Sequence, residues 1–429
     1  MQAEADFDEY AVEPSGEPIE PAQAGERIAC LDFIRGFAVL GILAANIVAF
    51  GQPFGAYMWP QGFLSAHGAA DEWLWVAQFL LIDGKMRGLF SLLFGAGMAL
   101  FMDKAWARGA TRWLQARRLF WLLLFGLAHF YLIWRGDILV LYSLAGFLAL
   151  PFLRWKARNL LVLGVIGYVM GGLMMFMAMG LPHLVADTDF GSGPAMAETR
   201  ATLDEAQAEE LADDVAEAEI LTQGNWFDFV RHNATVHASS PLTGSLLFLF
   251  ETLPLVLIGM ALYRLGLFDG RFARRKQLFW GWAGILAGTA LCVPLALYVK
   301  ASGFTYWGTI AAFIPYSHHA RLLVVMGLAA VLAVYGATAQ GWLAERLSAA
   351  GRMAFSNYLG TSLLMMFIFH PWAGGLWGEL TRPELYLVVA LGWAVMLMWS
   401  KPWLARYRYG PLEWLWRCLT YWQLFPLRR

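Results

Sequence analysis

The sequence predicts an all-α fold, a polytopic transmembrane helix bundle of about ten spans with both termini in the cytoplasm. Three observations predict it. Of the 429 residues 59% are hydrophobic and only 15% are charged, far from the balance of a soluble domain. Apolar runs of bilayer-crossing length recur along the chain, and the basic residues gather between alternate pairs of those runs.

The first 26 residues carry eight acids and no base, a composition that cannot bury enough apolar surface to fold, and are expected to be a disordered tail. An acidic leader also lacks the basic start of a secretory signal, so the first apolar run is expected to be retained. A single membrane domain then spans 27–420. Its runs fall at about 31–50, 86–103, 117–134, 137–153, 159–180, 243–263, 277–298, 320–338, 354–372 and 383–400. Basic clusters follow the second, fourth, sixth and eighth runs, around Arg108, Arg154, Arg274 and Arg346, and the tail from 421 to 429 ends in Arg428 and Arg429. The positive-inside rule sets the orientation from these clusters. Residues 72–82 and 304–316 are too short to cross and suit interfacial or re-entrant helices. The segment 181–242 is expected outside, with twelve acids against Arg200 and Arg231 and an amphipathic helix between Met196 and Leu221. Cys30, Cys292 and Cys418 have no paired spacing, which argues against a disulfide framework.

Polar residues inside the runs carry the functional information, because charge within a membrane is costly. Asp32, Arg35 and Asn46 lie within about 60° of arc on one helix and face the bundle together. An Arg35–Asp32 pair at the inner interface is the plain reading. Asn46, roughly 16 Å further along, is either an interhelical hydrogen-bonding residue or part of a substrate path. Lys85 and Arg87 flank glycines at the outer mouth of the second run, where they hold an anionic group or simply anchor the helix. Glu251 is deep enough that it must be protonated, paired or turned to a wet cavity. His129 lies in a span, and across the turn Trp134-Arg135-Gly136-Asp137 the carboxylate of Asp137 comes within direct or water-bridged reach. A histidine so placed suits a general base, or packs by an interhelical hydrogen bond. His370, His318 and His319 are expected near the same mouth, whereas His67, His183, His232 and His237 fall in outer loops. Adjacent His318 and His319 diverge by about 100° on a helix, so no metal site is expected.

The blocks Leu31-Asp32-Phe33-Ile34-Arg35-Gly36, Leu93-Phe94-Gly95-Ala96-Gly97, Gly136-Asp137-Ile138-Leu139, Gly351-Arg352-Met353-Ala354 with Asn357-Tyr358-Leu359, and Gly410-Pro411-Leu412-Glu413-Trp414 resemble, in order and spacing, the YeiB family. These are bacterial inner-membrane proteins whose C-terminal domain, about 243–420 here, is labelled domain of unknown function 418. That family is similar to the transmembrane acyltransferase superfamily, whose members carry an acyl group from acyl-CoA to a sugar or other acceptor across the membrane. His129 matches the family's histidine eight residues before the Asp of Gly-Asp-Ile-Leu.

The resemblance implies a multi-pass protein of the bacterial inner membrane that transfers an acyl group from acyl-CoA. His129 would serve as base, helped by Asp137, with His370 as an electrophilic partner. Arg35 and Arg352 at the inner face would meet a CoA phosphate, and Asn357 and Tyr358 would line the passage. The alternative is a proton-coupled transporter or exporter using Glu251, His129, Lys85 and Asp32 as an ionisable path. A scaffold or sensor whose acidic outer loop binds a partner is the third reading. Expected partners are membrane lipids and a glycan, lipid or small-molecule acceptor. The sequence is compatible with a homo-oligomer, and with no basic patch outside the cytoplasmic loops it gives no sign of nucleic-acid binding.

Overall fold

A bilayer leaves the backbone no partner but itself, so an apolar chain of this kind closes its hydrogen bonds within helices. The computed structural model describes residues 28–429, and among them seven helical segments are long and apolar enough to cross a membrane. The expected acidic tail at 1–26 lies outside the described residues. In chain order the helices are α1 Ala29–Gly51, α2 Ala69–Leu81, α3 Lys85–Trp106, α4 Arg112–Leu132, α5 Leu139–Ala149 and α6 Ala157–Met175. There follow α7 Leu181–Asp187, α8 Ala197–Gln223, α9 Trp226–Thr235, α10 Ser240–Leu265, α11 Arg274–Ala301 and α12 Tyr306–Ala311. The last are α13 His318–Thr338, α14 Trp342–Arg352, α15 Ala354–Phe369, α16 Arg382–Arg406 and α17 Pro411–Tyr421.

The bundle is sorted by burial. In α1 and α10, 67% of the apolar window is buried, against 22% in α11 and 28% in α16, which makes the first pair the centre and the second pair the apolar rim. Close packing at the centre comes from small residues that let backbones touch, the usual device where lipid removes the hydrophobic drive. A Cβ on Gly351 of α14 would sit 1.8 Å from the Asp32 carbonyl of α1, and one on Gly36 would sit 1.9 Å from the Leu347 carbonyl. The same reciprocal contact joins α3 to α10, where Gly95 and Gly259 each leave only 2.0 Å to the opposing carbonyl.

All ten apolar runs are helical, and the differences lie elsewhere. The helix expected between Met196 and Leu221 is α8, but it is polar nearly all round and buries only Asp214, Glu217 and Leu221. It is no ordinary amphipathic helix, because its contact stripe is charged. His370 follows the end of α15 in extended backbone rather than inside the helix. His318 is fully buried between α6 and α13, its Nε2 2.9 Å from the Tyr168 carbonyl and its ring stacked on Tyr168 at 4.0 Å, so it does not line the mouth. His183, expected at the surface, is buried with Nδ1 3.1 Å from Asp187.

Placing valine at Gly259 forces α3 and α10 apart and is expected to cost at least the ~1–3 kcal/mol typical of overpacking. Gly360→Ala, at a glycine with open space around it, serves as the control. Thermal unfolding in detergent is expected to shift down for Gly259→Val and to stay put for Gly360→Ala.

Candidate functional site

The site begins where α4 ends and α5 starts. The first N–H groups of a helix lack intrahelical partners, and the Asp137 carboxylate supplies one, accepting the Val140 N–H at 2.8 Å through Oδ2. Its other oxygen lies 2.8 Å from His129 Nδ1, and both side chains are at most 1% exposed. An oxygen that only accepts fixes the neutral tautomer with its proton on Nδ1, leaving the Nε2 lone pair outward. Nε2 is buried and has no hydrogen-bond partner among the described residues. The Tyr358 ring stands edge-on to the imidazole at 5.2 Å, and its hydroxyl accepts the Ile138 N–H at 3.3 Å. Tyr142 stacks between Phe90 and Phe94.

Three cavities follow one another along the bundle, and Asp137 lines the last of them. At one end of the bundle a cavity of ≈ 270 Å³ is lined by Arg35, Lys104, Arg108, Arg118, Arg352 and Arg417, with Asp32 and Glu413. A middle cavity of ≈ 200 Å³ shares Arg35, Arg118, Arg352 and Trp416 with it, then turns apolar along Phe90, Leu93, Phe94 and Leu122 to reach Tyr142, Tyr358, Ile42 and Ile138. The third, ≈ 520 Å³, opens at the opposite end and begins at the same Ile42 and Ile138, with Asn46, Arg87 and Asp137 in its wall. Asp137 therefore faces the third cavity and Tyr358 the second, with His129 bonded to one and packed on the other.

Each end has its own fastening. At the basic end Glu413 of α17 accepts the N–H groups of Phe355 and Ser356 at 2.8 and 3.0 Å and the Ser356 hydroxyl at 2.5 Å. It thus caps the helix that carries Tyr358, and burial holds its carboxyl above the usual carboxylate range. At the other end α8 roofs the large cavity with Glu210, Asp213 and Asp214. Arg135 pairs with Glu217 and lies 3.7 Å from Asp214, while Asp214 also accepts the Gly55 N–H at 3.2 Å. Burial pushes Glu217 up to about 7 and Asp214 up to about 6, with Arg135 opposing the shift in both. His237, 3.2 Å from Arg135, is lowered to about 4 by burial and that guanidinium.

The structure divides the residues expected to act together. Arg35 keeps its 3.2 Å contact to Asp32 in the basic cavity, whereas Asn46 lies beyond Ile42 in the third. Arg87 lines that third cavity with its guanidinium 2.5 Å from Glu251, and Arg321 reaches the other Glu251 oxygen at 3.4 Å. Lys85 does not join Arg87, because its ammonium turns inward to the Phe79 carbonyl and is 1% exposed. Asn357 is not on the passage with Tyr358: its amide donates to the Ala350 carbonyl and Ser400 and accepts from Trp399, tying α15 to α14 and α16. His370 packs edge-on against Phe229 at 5.0 Å in a pocket of only ≈ 20 Å³ with Trp134, Arg135 and Glu217. Sequence reasoning missed Arg118, Glu413, Arg135 and the α8 acids. Glu413 lay inside a quoted block, and the acids at 210, 214 and 217 share a face by helical spacing.

These features define a class, a polytopic transmembrane helix bundle with a buried His–Asp pair between cavities at its two ends. The chain is 30% identical over 404 residues to the uncharacterized protein YeiB of Escherichia coli (strain K12), covering 92% of this chain and 96% of that one. It is 31% identical over 428 residues to the uncharacterized protein YxaH of Bacillus subtilis (strain 168), covering 96% and 98%. The family model described as protein of unknown function (DUF418) matches residues 262–423. The chain belongs to the YeiB family. No solved structure matches it.

The raised carboxyl of Glu217 carries a linkage prediction. A folded-state value above the unfolded one means that its contribution is fully present below the unfolded carboxylate range and is lost as pH rises through about 7. Amide-exchange protection of α8 is therefore expected to fall between pH 5 and pH 8, and Glu217→Gln, which stays neutral, is expected to flatten that dependence.

Proposed function

We propose that the chain is an acyltransferase of the bacterial inner membrane, taking an acyl group from a thioester donor, acyl-CoA, at its basic, cytoplasmic end. The acceptor, a sugar or other hydroxyl- or amine-bearing molecule, approaches from the α8 side. One observation carries the reading: His129, whose buried Nε2 has no partner among the described residues, is bonded to Asp137 in the wall of the opposite-face cavity and packed on Tyr358 in the wall of the basic cavity's apolar extension.

The charges suit the substrates this assigns. Arg118 stacks on Trp416 at 4.3 Å and on Phe101 at 4.5 Å, which presents its guanidinium edge-on to phosphate, and Arg35 and Arg352 complete the cradle. From Arg118 to His129 the α4 axis runs about 16 Å, and the apolar middle cavity follows α4 as far as Leu122 before reaching Ile138 and Tyr358. In this reading His129 Nε2 takes the acceptor's proton, and Asp137 stabilises the imidazolium that forms. The acceptor's bond to the acyl carbon forms as the thioester C–S bond breaks, and His129 returns the proton to the departing thiolate. Tyr358, whose hydroxyl oxygen already accepts from Ile138 N–H, keeps its own proton to stabilise the developing oxyanion. That role suits Tyr358 better than His370, which lies in a different pocket.

Cavities at both ends also suit the rival reading, a proton-coupled transporter. Glu251, its best proton carrier, is clamped between two guanidinium groups, a poor arrangement for repeated protonation. Turnover without any gradient speaks for transfer, whereas pH-driven flux in proteoliposomes speaks for transport.

Acceptor-dependent release of thiol from acetyl-CoA and longer acyl-CoA, with envelope extract as acceptor, is the test. His129→Ala is expected to lose roughly the 10²–10⁴-fold that a general base supplies, and Asp137→Asn to lose much of it by freeing the tautomer. A folded native protein that releases no thiol with any donor would remove the proposal.

A further inference from the structure

The buried stripe of α4 runs through Gln115, Leu119, Leu122, Gly126 and His129, at the three- and four-residue spacing of one helix face. It ends in the imidazole and begins with an amide. Gln115 is 1% exposed, and its Oε1 has no hydrogen-bond partner among the described residues. A buried amide left unbonded costs the full loss of its hydration. Gln115 is in the wall of the ≈ 200 Å³ middle cavity, together with the apolar side chains of Leu93, Phe94, Met98 and Leu119. Protein interiors are otherwise close-packed, so a space of that size with an unsatisfied amide in its wall is suited to an occupant that bonds to the amide.

The amide belongs to the passage and not to the phosphate cradle. Arg118, three residues on, lays its guanidinium over Phe101 and Trp416 at 4.5 and 4.3 Å, and Phe101 is a wall residue of the basic cavity. The middle cavity takes Met98 from the same helix instead, about one turn further from the basic end. Gln115 lines the middle cavity and not the basic one.

We infer that Gln115 is a specificity-determining residue for the donor: its side chain bonds to an amide of the donor's arm, so the middle cavity takes an amide-bearing chain of the pantetheine kind and not a hydrocarbon. The inference rests on the acyl-donor reading and sharpens it. An anionic head with an uncharged arm describes two donor chemistries, a coenzyme A thioester and an isoprenoid diphosphate. Both place phosphate at Arg118 and an arm along Phe90 and Leu122, but a hydrocarbon arm leaves Gln115 stranded. An amide arm satisfies it in either sense, because rotation about the last side-chain bond presents the carbonyl to an N–H or the NH2 to a carbonyl. A site built to bond a polar group rejects the analogue that lacks it, since its own buried group is then left without a partner.

Calorimetric binding to the full chain in phospholipid nanodiscs tests this with three probes: free coenzyme A, adenosine 3′,5′-bisphosphate, which keeps phosphates but has no arm, and farnesyl diphosphate, whose arm is hydrocarbon. Gln115→Leu conserves volume, with Gln115→Met as the second variant should the first fail to fold, and thermal unfolding checks both. The native chain is expected to bind coenzyme A more tightly than the bisphosphate. The variant is expected to lose roughly tenfold in coenzyme A affinity, as for a buried hydrogen bond whose partner is left unpaired, and to bind the bisphosphate as the native chain does. Equal coenzyme A affinity in native chain and variant, or an equal loss for coenzyme A and the bisphosphate, would overturn the assignment of Gln115. Tighter native binding of farnesyl diphosphate than of coenzyme A would overturn the amide-bearing arm. A native chain that binds neither coenzyme A nor the bisphosphate would remove the donor reading itself and this inference with it, whereas the other contrary outcomes at Gln115 leave that reading in place.

Discussion

A carboxylate deep in an apolar bundle has to be paired, and Glu251 is held from both sides, by Arg87 of α3 and Arg321 of α13. Breaking such an arrangement strands a buried charge at a cost of several kcal/mol, about 3–5 in soluble proteins. The clamp therefore fixes the register of three helices. In that register Gly95 and Gly259 fall opposite the carbonyls of Val256 and Leu92, which permits the closest approach of α3 and α10. It also fixes Arg87 in the wall of the large cavity, next to the Tyr142 hydroxyl that donates to its carbonyl at 3.2 Å. The polarity of that cavity is thus a by-product of the same ion cluster that orders the core.

From end to end the interior changes character in steps. The basic cavity favours a charged anionic group, the middle stretch of Phe90, Phe94 and Leu122 favours an uncharged arm, and the large cavity is roofed by carboxylates. At the junction marked by Ile42 and Ile138, Asp137 faces the large cavity and Tyr358 the middle one. Both are set by backbone at helix starts. Asp137 serves the first turn of α5, and Tyr358 lies one turn into α15, whose first N–H groups Glu413 caps. Positioning by helix ends is precise, because capping geometry tolerates little displacement.

The helices were legible in the sequence because a membrane helix is specified by composition over about 20 residues, and no partner needs to be known. The His129–Asp137 pair was legible for a local reason: eight residues and one tight turn separate the two side chains, so helical rise alone brings them together. What escaped was set by distant contacts. Nothing local distinguishes Lys85, which turns to Phe79, from Arg87, which turns to Glu251 164 positions away. Asn357 and Tyr358 are neighbours, yet a 100° turn sends one to Ser400 of α16 and the other to the imidazole. The direction of Asn357 depended on where α16 packs. The reading of α8 failed for a different reason, since its buried face is Asp214, Glu217 and Leu221, and a charged contact face leaves no apolar stripe to find.

That charged face ties the roof to the site through one short piece of chain. Arg135 grips Glu217 of α8, and Asp137, two residues on, holds His129. Trp134, in the same turn, donates from its indole to the Ala49 carbonyl at 3.2 Å and stacks on Phe50 at 3.9 Å, which pins the turn to α1. Movement of α8 that dragged Arg135 would have to break this stack or bend the turn between it and Asp137. The roof contact of Arg135 and the Asp137–His129 pair thus hang on one turn, which Trp134 anchors to α1.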